Sequence, residues 1–109
     1  MTKIVADLIA ALDLKPHPEG GYYRETYRSD KVAGEPVRAL STAIYYLLVA
    51  DTFSELHRLT ADEIFHFYRG DTVEMLQLFE AGQAGVVKVG ESRAPGGDLE
   101  VVLPAGVWF

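Results

Sequence analysis

His57 and Glu63 are the residues with the clearest capacity for chemistry, and they lie six positions apart, ahead of Gly70. A carboxylate beside an imidazole orients the ring, so the two can act as a general base and its orienting partner. They can also contribute to a metal site, which needs several converging lone-pair donors. A hydrogen-bonded structural pair is the alternative. The functional role is favoured, because an inward-facing polar group needs a use that offsets its desolvation.

A second polar group lies in residues 17–29, His-Pro-Glu-Gly-Gly-Tyr-Tyr-Arg-Glu-Thr-Tyr-Arg-Ser. Strand alternation puts Tyr23 and Glu25 on one face and Arg24 on the other. The planar fork of arginine suits carboxylate or phosphate, and tyrosine can stack on a sugar or base and still offer a hydroxyl. Tyr23, Arg24 and Glu25 are therefore candidate ligand-binding residues. The sequence does not decide which face of the strand points inward. An exposed ion pair between Arg24 and Glu25 is the alternative to ligand binding. His17 begins the turn that precedes the strand.

The elements that must position these groups are one helix and several short strands. Residues 3–13 carry a helical apolar period, with Thr2 as N-cap and Pro16 beyond the end. The period of two and the intervening turns, one of them around Gly96, predict strands at 22–28, 40–49, 53–59, 63–68, 72–79, 85–89 and 99–103. The strand at 40–49 is long and apolar, which predicts burial on both faces. One helix followed by many short strands predicts a single all-β domain over residues 1–109, a sandwich or barrel of jelly-roll type.

Two further candidate residues depend on this strand assignment. Counting from Glu63, His66 falls on the opposite face of its strand, which favours a structural or interface role over ligand binding. Trp108 follows a Pro-x-Gly turn and is predicted to be a core or pocket-wall residue. The chain ends on Val-Trp-Phe after about seven strands, where a closed jelly roll has about eight. We expect a sequence that continues beyond Phe109, with docking of the terminus as the alternative.

Composition excludes several classes of function. The formal charge is −6 and no basic run occurs, which argues against a nucleic-acid polymer as partner. The absence of cysteine excludes thiolate nucleophiles and sulfur metal sites. No apolar run reaches the roughly 20 residues of a membrane helix, and the amino-terminal residues do not form a signal peptide. We predict a cytoplasmic protein with no membrane partner.

Four segments together resemble one branch of the cupin superfamily, a small uncharacterised group similar in fold to the dTDP-sugar 3,5-epimerases. They are residues 17–29, 41–48, 53–71 and 103–108. The resemblance implies an all-β cupin jelly roll, or double-stranded β-helix, with one N-terminal helix, a homodimer, and a pocket in the barrel mouth. It also implies that the family continues past Trp108, so that 1–109 would be a cupin domain lacking its C-terminal strands.

The chain departs from the usual cupin motifs at two metal-ligand positions. The first motif, His-x-His, three or four residues, Glu, six residues, Gly, has Leu59 in place of its second histidine. The second, Pro-x-Gly-x-x-His, has Phe109 in place of its histidine. Only His57 and Glu63 remain of four ligands, so no cofactor is predicted. A divalent metal stays open only with a third donor, for which the candidates are His66, Glu25, Tyr23 and Gln77.

These observations support two functions of different classes. One is a small-molecule-binding protein whose pocket takes a sugar, sugar phosphate or nucleotide. The other is a carbohydrate isomerase or epimerase, in which His57 removes a proton next to a carbonyl and Glu63 orients it. A metal-dependent cupin enzyme is a third hypothesis. No serine has the strand–turn–helix context of a nucleophile elbow.

Overall fold

A computed structural model describes residues 2–91 and 97–109 of the chain. The chain divides into two compact units, Met1–Glu55 and Leu56–Phe109. Both consist mainly of short β-strands, and the first also holds the helix. The hairpin turn predicted around Gly96 lies outside the described residues.

The helix α1 spans Lys3–Ala11. Its N-cap is Thr2, as predicted, and the Thr2 hydroxyl accepts a hydrogen bond of 3.2 Å from the Val5 N–H. The helix ends two residues before the predicted end, because Asp13 adopts a left-handed φ of 51° that stops helical propagation. No helix in the described part of the chain is long and apolar enough to cross a membrane.

The first unit holds two small sheets. Their strands are β1 (Lys15–Pro16), β2 (Tyr22–Arg28), β3 (Val32–Ala33), β4 (Arg38–Ala39) and β5 (Thr42–Leu47). The strands β1, β2 and β5 form one antiparallel sheet in that order, and β3 pairs with β4. The prediction for 40–49 was wrong about burial, since none of the side chains of β5 is buried. In the described sheet β5 is an edge strand, paired only with β2.

A bulge in β2 corrects the alternation predicted for residues 22–28. Glu25 pairs with Ile44 and Tyr27 with the adjacent Ala43, so Thr26 is an extra residue in the ladder. An extra residue exchanges the faces of all residues that follow it. Arg28 therefore shares a face with Glu25 and not with Arg24, and its guanidinium lies 2.6 Å from the Glu25 carboxylate.

The second unit is built from the remaining strands. They are β6 (Glu63–His66), β7 (Val73–Leu78), β8 (Ala84–Val89), β9 (Gly97–Asp98) and β10 (Glu100–Leu103). The antiparallel pair β6–β10 is one sheet, and β7–β8–β9 is the other, in which β8 and β9 run parallel. The prediction of a strand at 53–59 was wrong, because those residues form no strand. Within them, the backbone of His57 pairs with that of Phe109.

The hydrophobic core of the second unit lies between its two sheets. Its buried members are Met75, Val89, Val101 and Leu103, and three phenylalanines pack around them: Phe65, Phe67 and Phe109. Side chains alternate between this core and the exterior along β6, β7 and β10, as expected for strands with one covered face. The face of each strand that turns toward this core is called the inner face below.

Candidate functional site

Glu63 lies on the inner face of β6, directly across the ladder from Leu103. Leu103 is the most buried side chain described, with 1% exposure. The Oε2 atom of Glu63 is buried and has no hydrogen-bond partner among the described residues. Burial raises the pKa of the Glu63 carboxyl above its ordinary value, and the nearby His57 imidazole lowers it in part. Glu63 is thus a half-buried acid with one buried oxygen that has no hydrogen-bond partner among the described residues.

His57 is positioned by the residue at position 109. The His57 N–H donates to the Phe109 carbonyl oxygen, and the Phe109 N–H donates to the His57 carbonyl oxygen, each at 2.9 Å. Residues that exchange both bonds are directly opposite and point to one face, and their ring centroids lie 4.5 Å apart. Phe109 also meets Phe65 edge-on at 5.9 Å. The imidazole therefore lies half-buried against an aromatic wall, close enough to Glu63 to shift its pKa.

Gln77 forms a row with His57 and Phe109 through backbone pairing. Leu78 and Trp108 exchange backbone hydrogen bonds of 2.9 and 3.2 Å, so the next pair in this antiparallel register is Gln77 opposite Phe109. Gln77 is 7% exposed and lies on the inner face of β7. The sequence analysis named Gln77 only as a possible metal donor. In the sequence, Gln77 occupies a position at which the alternation of its strand calls for an inward-facing apolar residue. That pattern could have identified Gln77 as an inward-facing polar residue.

These three side chains have complementary chemistry. A carboxyl with a raised pKa keeps its proton to higher pH than an exposed carboxyl does. An imidazole can accept a proton, and an amide both donates and accepts hydrogen bonds. Phenylalanine rings border the row, which lowers the local dielectric and strengthens each polar interaction. The arrangement can bind a polar small molecule or move a proton within it.

The same donors do not fit the metal ion of the usual cupin site. The side chains of Leu59 and Phe109 offer no lone pairs, and Phe109 packs against the His57 ring instead. Nowhere in residues 2–91 and 97–109 do three or more His, Cys, Asp or Glu side chains converge as metal ligands. An imidazole, one carboxylate and an amide are a weak donor set for a transition metal.

His66 and Trp108 lie away from this row. The His66 Nδ1 is 3.0 Å from a Glu100 carboxylate oxygen on the outer face, where both side chains are exposed. Trp108 is not a core residue, because its side chain is 40% exposed. Its pairing with Leu78 turns it to the face opposite Phe109, where the Arg58 guanidinium lies 5.2 Å from its ring centroid.

The candidate residues of β2 are separated by the two faces of their own sheet. Tyr23 meets the His17 ring edge-on at 4.9 Å, and Glu25 on the same face pairs with Arg28. Arg24 lies on the other face, 5.4 Å from the ring centroid of Tyr45. The Arg24–Glu25 ion pair considered from the sequence does not form. An open depression of about 470 Å³ in this unit is lined by nine residues, namely Asp13, Lys15, His17, Tyr23, Arg24, Glu25, Arg28, Thr42 and Ile44.

The turn before β2 depends on its two glycines. Gly21 has a φ of 76°, and a Cβ added there would lie 2.6 Å from the Leu47 carbonyl oxygen, so both conformation and space favour glycine. The His17 Nδ1 accepts a 3.0 Å hydrogen bond from the Glu19 N–H. The same nitrogen lies 3.0 Å from a Glu19 carboxylate oxygen. These contacts place His17 in the turn before β2.

The described residues form short β-sheets and one α-helix, with Glu63 on an inner face near His57. This arrangement is typical of the cupin class. Residues 6–109 match the family described as the cupin superfamily, DUF985. The chain belongs to that family, and its fold is the all-β cupin fold with one helix, as predicted from the sequence.

Solved structures and a curated relative agree with this assignment. A crystal structure of a Shewanella oneidensis protein is 36% identical with a TM-score of 0.85, covering 94% of this chain and 64% of that one. A hypothetical protein from Leishmania major is 31% identical with a TM-score of 0.86, covering 94% and 66%. An uncharacterized protein of Saccharomyces cerevisiae is 31% identical, covering 93% of this chain and 57% of its own length. The chain thus spans less than two thirds of each relative.

Proposed function

We propose that this chain binds a polar small molecule of the sugar, sugar phosphate or nucleotide type beside His57, Glu63 and Gln77. The observation that carries the proposal is the buried Oε2 of Glu63, which has no hydrogen-bond partner among the described residues. Leaving such an atom unpaired costs about 1–3 kcal/mol. A ligand hydroxyl or N–H that pairs with it would recover that free energy.

Each residue has a distinct part in this proposal. Glu63 forms a hydrogen bond with a hydroxyl group of the ligand, because an ionised carboxylate oxygen accepts hydrogen bonds and a protonated carboxyl can donate one. The half-buried His57 lies near Glu63 and places its imidazole beside the proposed ligand. Phe109, held 4.5 Å from that ring, supplies an apolar surface against which the C–H face of a sugar or a base can pack.

The proposal is tested by NMR titration of the isotope-labelled chain with monosaccharides, their phosphates and nucleotides. We expect at least one compound to shift the side-chain resonances of His57 and Glu63 saturably. His57→Ala should weaken that binding at least tenfold, because it removes a direct contact. The control is His66→Ala, which removes an exposed histidine from the outer face of β6 and should leave binding unchanged. Equal binding by both variants would contradict the proposed site.

A carbohydrate isomerase or epimerase is a second candidate. It is favoured by the electrostatic contact between His57 and Glu63, because a general base needs an orienting partner. Exchange of a carbon-bound sugar proton in deuterated water is the decisive measurement. Exchange that is lost in His57→Ala would establish that His57 abstracts a proton. Binding of a sugar without exchange would contradict the isomerase hypothesis and support a binding protein.

The β2 residues form a separate part of the proposal. Tyr23 and Glu25 share one face of this sheet, and Arg24 lies on the other. We propose that a ligand binds on the Tyr23 face, because Tyr23, Glu25 and Arg28 line the depression of about 470 Å³ from that face, and Arg24 also borders it. Loss of ligand-induced shifts in Tyr23→Phe, with Tyr27→Phe as the control, would support it, and equal shifts in both would contradict it.

The remaining expectations concern metal, assembly and location. We propose no metal-dependent activity, because the donors at this site do not fit a cupin metal, and elemental analysis of untagged protein would test this. We propose a homodimer, as the family resemblance implies, and light scattering that gives a monomer mass would contradict it. Cytoplasmic location, and a family domain that continues past residue 109, stay predictions.

A further inference from the structure

The inner faces of the second unit hold an acid but no described lysine or arginine. Glu63 points inward, whereas the described cations of this unit point outward. Arg58 lies over the outward Trp108 ring, Arg69 is exposed, and Lys88 pairs in register with the exposed Glu74 on the outer side of β7–β8. Among the described residues of this unit, no lysine or arginine accompanies Glu63 on the inner face.

This distribution disfavours an anionic ligand at the row formed by His57, Phe109 and Gln77. A phosphate is held in proteins by arginine or lysine, or by several backbone N–H groups at a helix N-terminus. Here it would enter an apolar surround beside an ionisable carboxyl, where repulsion between like charges is poorly screened. An uncharged ligand meets no such penalty.

The polar groups that are present suit hydroxyl groups. A hydroxyl donates one hydrogen bond and accepts others, and an amide does the same. Gln77 is 7% exposed on the inner face, and no side-chain partner has been identified for it among the described residues. Glu63 Oε2 offers a buried acceptor. Gln77 lies in register with Phe109, whose ring packs against the His57 ring, and Glu63 lies near His57. Such polar groups beside an aromatic ring suit a neutral sugar or nucleoside.

We infer that this site binds an uncharged hydroxylated molecule in preference to its phosphate ester, and that Gln77 is the residue that sets this preference. The inference rests on the proposed function and narrows it to one ligand class. Gln77 supplies a neutral hydrogen-bonding group on an inner face of the unit that holds Glu63, where the described residues provide no lysine or arginine.

The experiment compares neutral compounds with their phosphates. The probes are D-glucose and glucose 6-phosphate, D-ribose and ribose 5-phosphate, adenosine and adenosine 5′-phosphate, and inorganic phosphate alone. Each is titrated into the full labelled chain while the His57 side-chain resonances are followed. We expect a neutral member to bind at least tenfold more tightly than its phosphate ester, and inorganic phosphate to leave these resonances unmoved.

Variants test the residue assigned to this preference. Gln77→Met keeps the length of the side chain and removes the amide, so it should weaken binding of the neutral probe at least tenfold. Gln83→Met makes the same change at an exposed position and should bind like the unmodified protein. Equal binding by the two variants would overturn the role of Gln77.

The outcomes separate this inference from the proposed function. A phosphate ester that binds more tightly than its neutral parent, with shifts at His57, would overturn the inference and leave the proposed function intact. If no probe moves the His57 resonances, the proposed function itself is contradicted and the inference with it. Unfolding curves of Gln77→Met distinguish lost contacts from lost folding, and the probe pairs on the unmodified chain do not depend on that variant.

Discussion

Replacing Glu63 with glutamine should stabilise the folded chain at neutral pH. The substitution keeps the shape of the side chain and removes an ionisable group whose pKa is raised, first by burial and then with a partial opposing effect of His57. A raised folded pKa means that the folded state holds the proton more tightly than the unfolded state. The contribution of Glu63 to stability is therefore fully present below the ordinary glutamate pKa of about 4.3 and is lost as pH rises through the folded pKa.

The expected gain comes from removing the ionised form, which burial disfavours. Glutamine still places a polar atom where Oε2 lies, so the cost of that unpaired atom is not recovered. Glu63 is only half-buried and interacts with His57, so the gain should be modest for a single substitution, about 1 kcal/mol. For a chain of this size that corresponds to a rise in melting temperature of about 4 °C. The gain should be near zero around pH 4, where both states are protonated, and should grow toward pH 7.

Urea unfolding at several pH values measures this difference directly. The matched control is Glu100→Gln, which makes the same change on the neighbouring strand but on the outer face, where the Glu100 side chain is 67% exposed and lies near His66. Exposed pairs contribute about 0–1 kcal/mol, so the control should show little change. A Glu63→Gln protein that is less stable than the unmodified chain at pH 7, or a gain that does not depend on pH, would refute this reasoning.

Two further substitutions test packing, each against a matched control. Gly21→Ala should destabilise the fold by about 1–3 kcal/mol, because its Cβ would lie 2.6 Å from the Leu47 carbonyl oxygen at a φ of 76°. Gly82→Ala has nearly the same φ, 77°, with no atom within 4 Å, so an equal loss in the two would show that the close contact is unimportant. Leu103→Ala should cost about 2–5 kcal/mol, since Leu103 is 1% exposed, whereas Val102→Ala at 57% exposure should change little. Similar melting temperatures for that second pair would contradict the core assignment.

Local patterns in the sequence predicted most of the elements correctly. The strand 22–28 has the predicted bounds, the Thr2 cap forms, and the inward and outward sides of β6 follow from alternation. These features depend on the period of two and on local hydrogen bonds. The family segments also predicted the cupin fold, which the comparisons confirm.

Other features depend on contacts that a local pattern does not contain. The bulge at Thr26 reverses the face of Arg28, and no residue type in β2 marks it. The backbone of His57 pairs with Phe109, 52 positions away, although residues 53–59 form no strand. The outward turn of Trp108 follows from its pairing with Leu78. Such long-range pairings set the row of His57, Phe109 and Gln77, so the sequence could name these residues but not bring them together.

The most direct test of the account is the titration of the Glu63 carboxyl carbon by NMR in the unmodified chain and in His57→Ala. We expect the pKa of Glu63 to lie above the ordinary glutamate value in the unmodified chain, because burial dominates. It should rise further in His57→Ala, because the imidazole that lowers it is gone. A pKa at the ordinary value, or one that does not move when His57 is removed, would contradict the claim that the two side chains share one buried site.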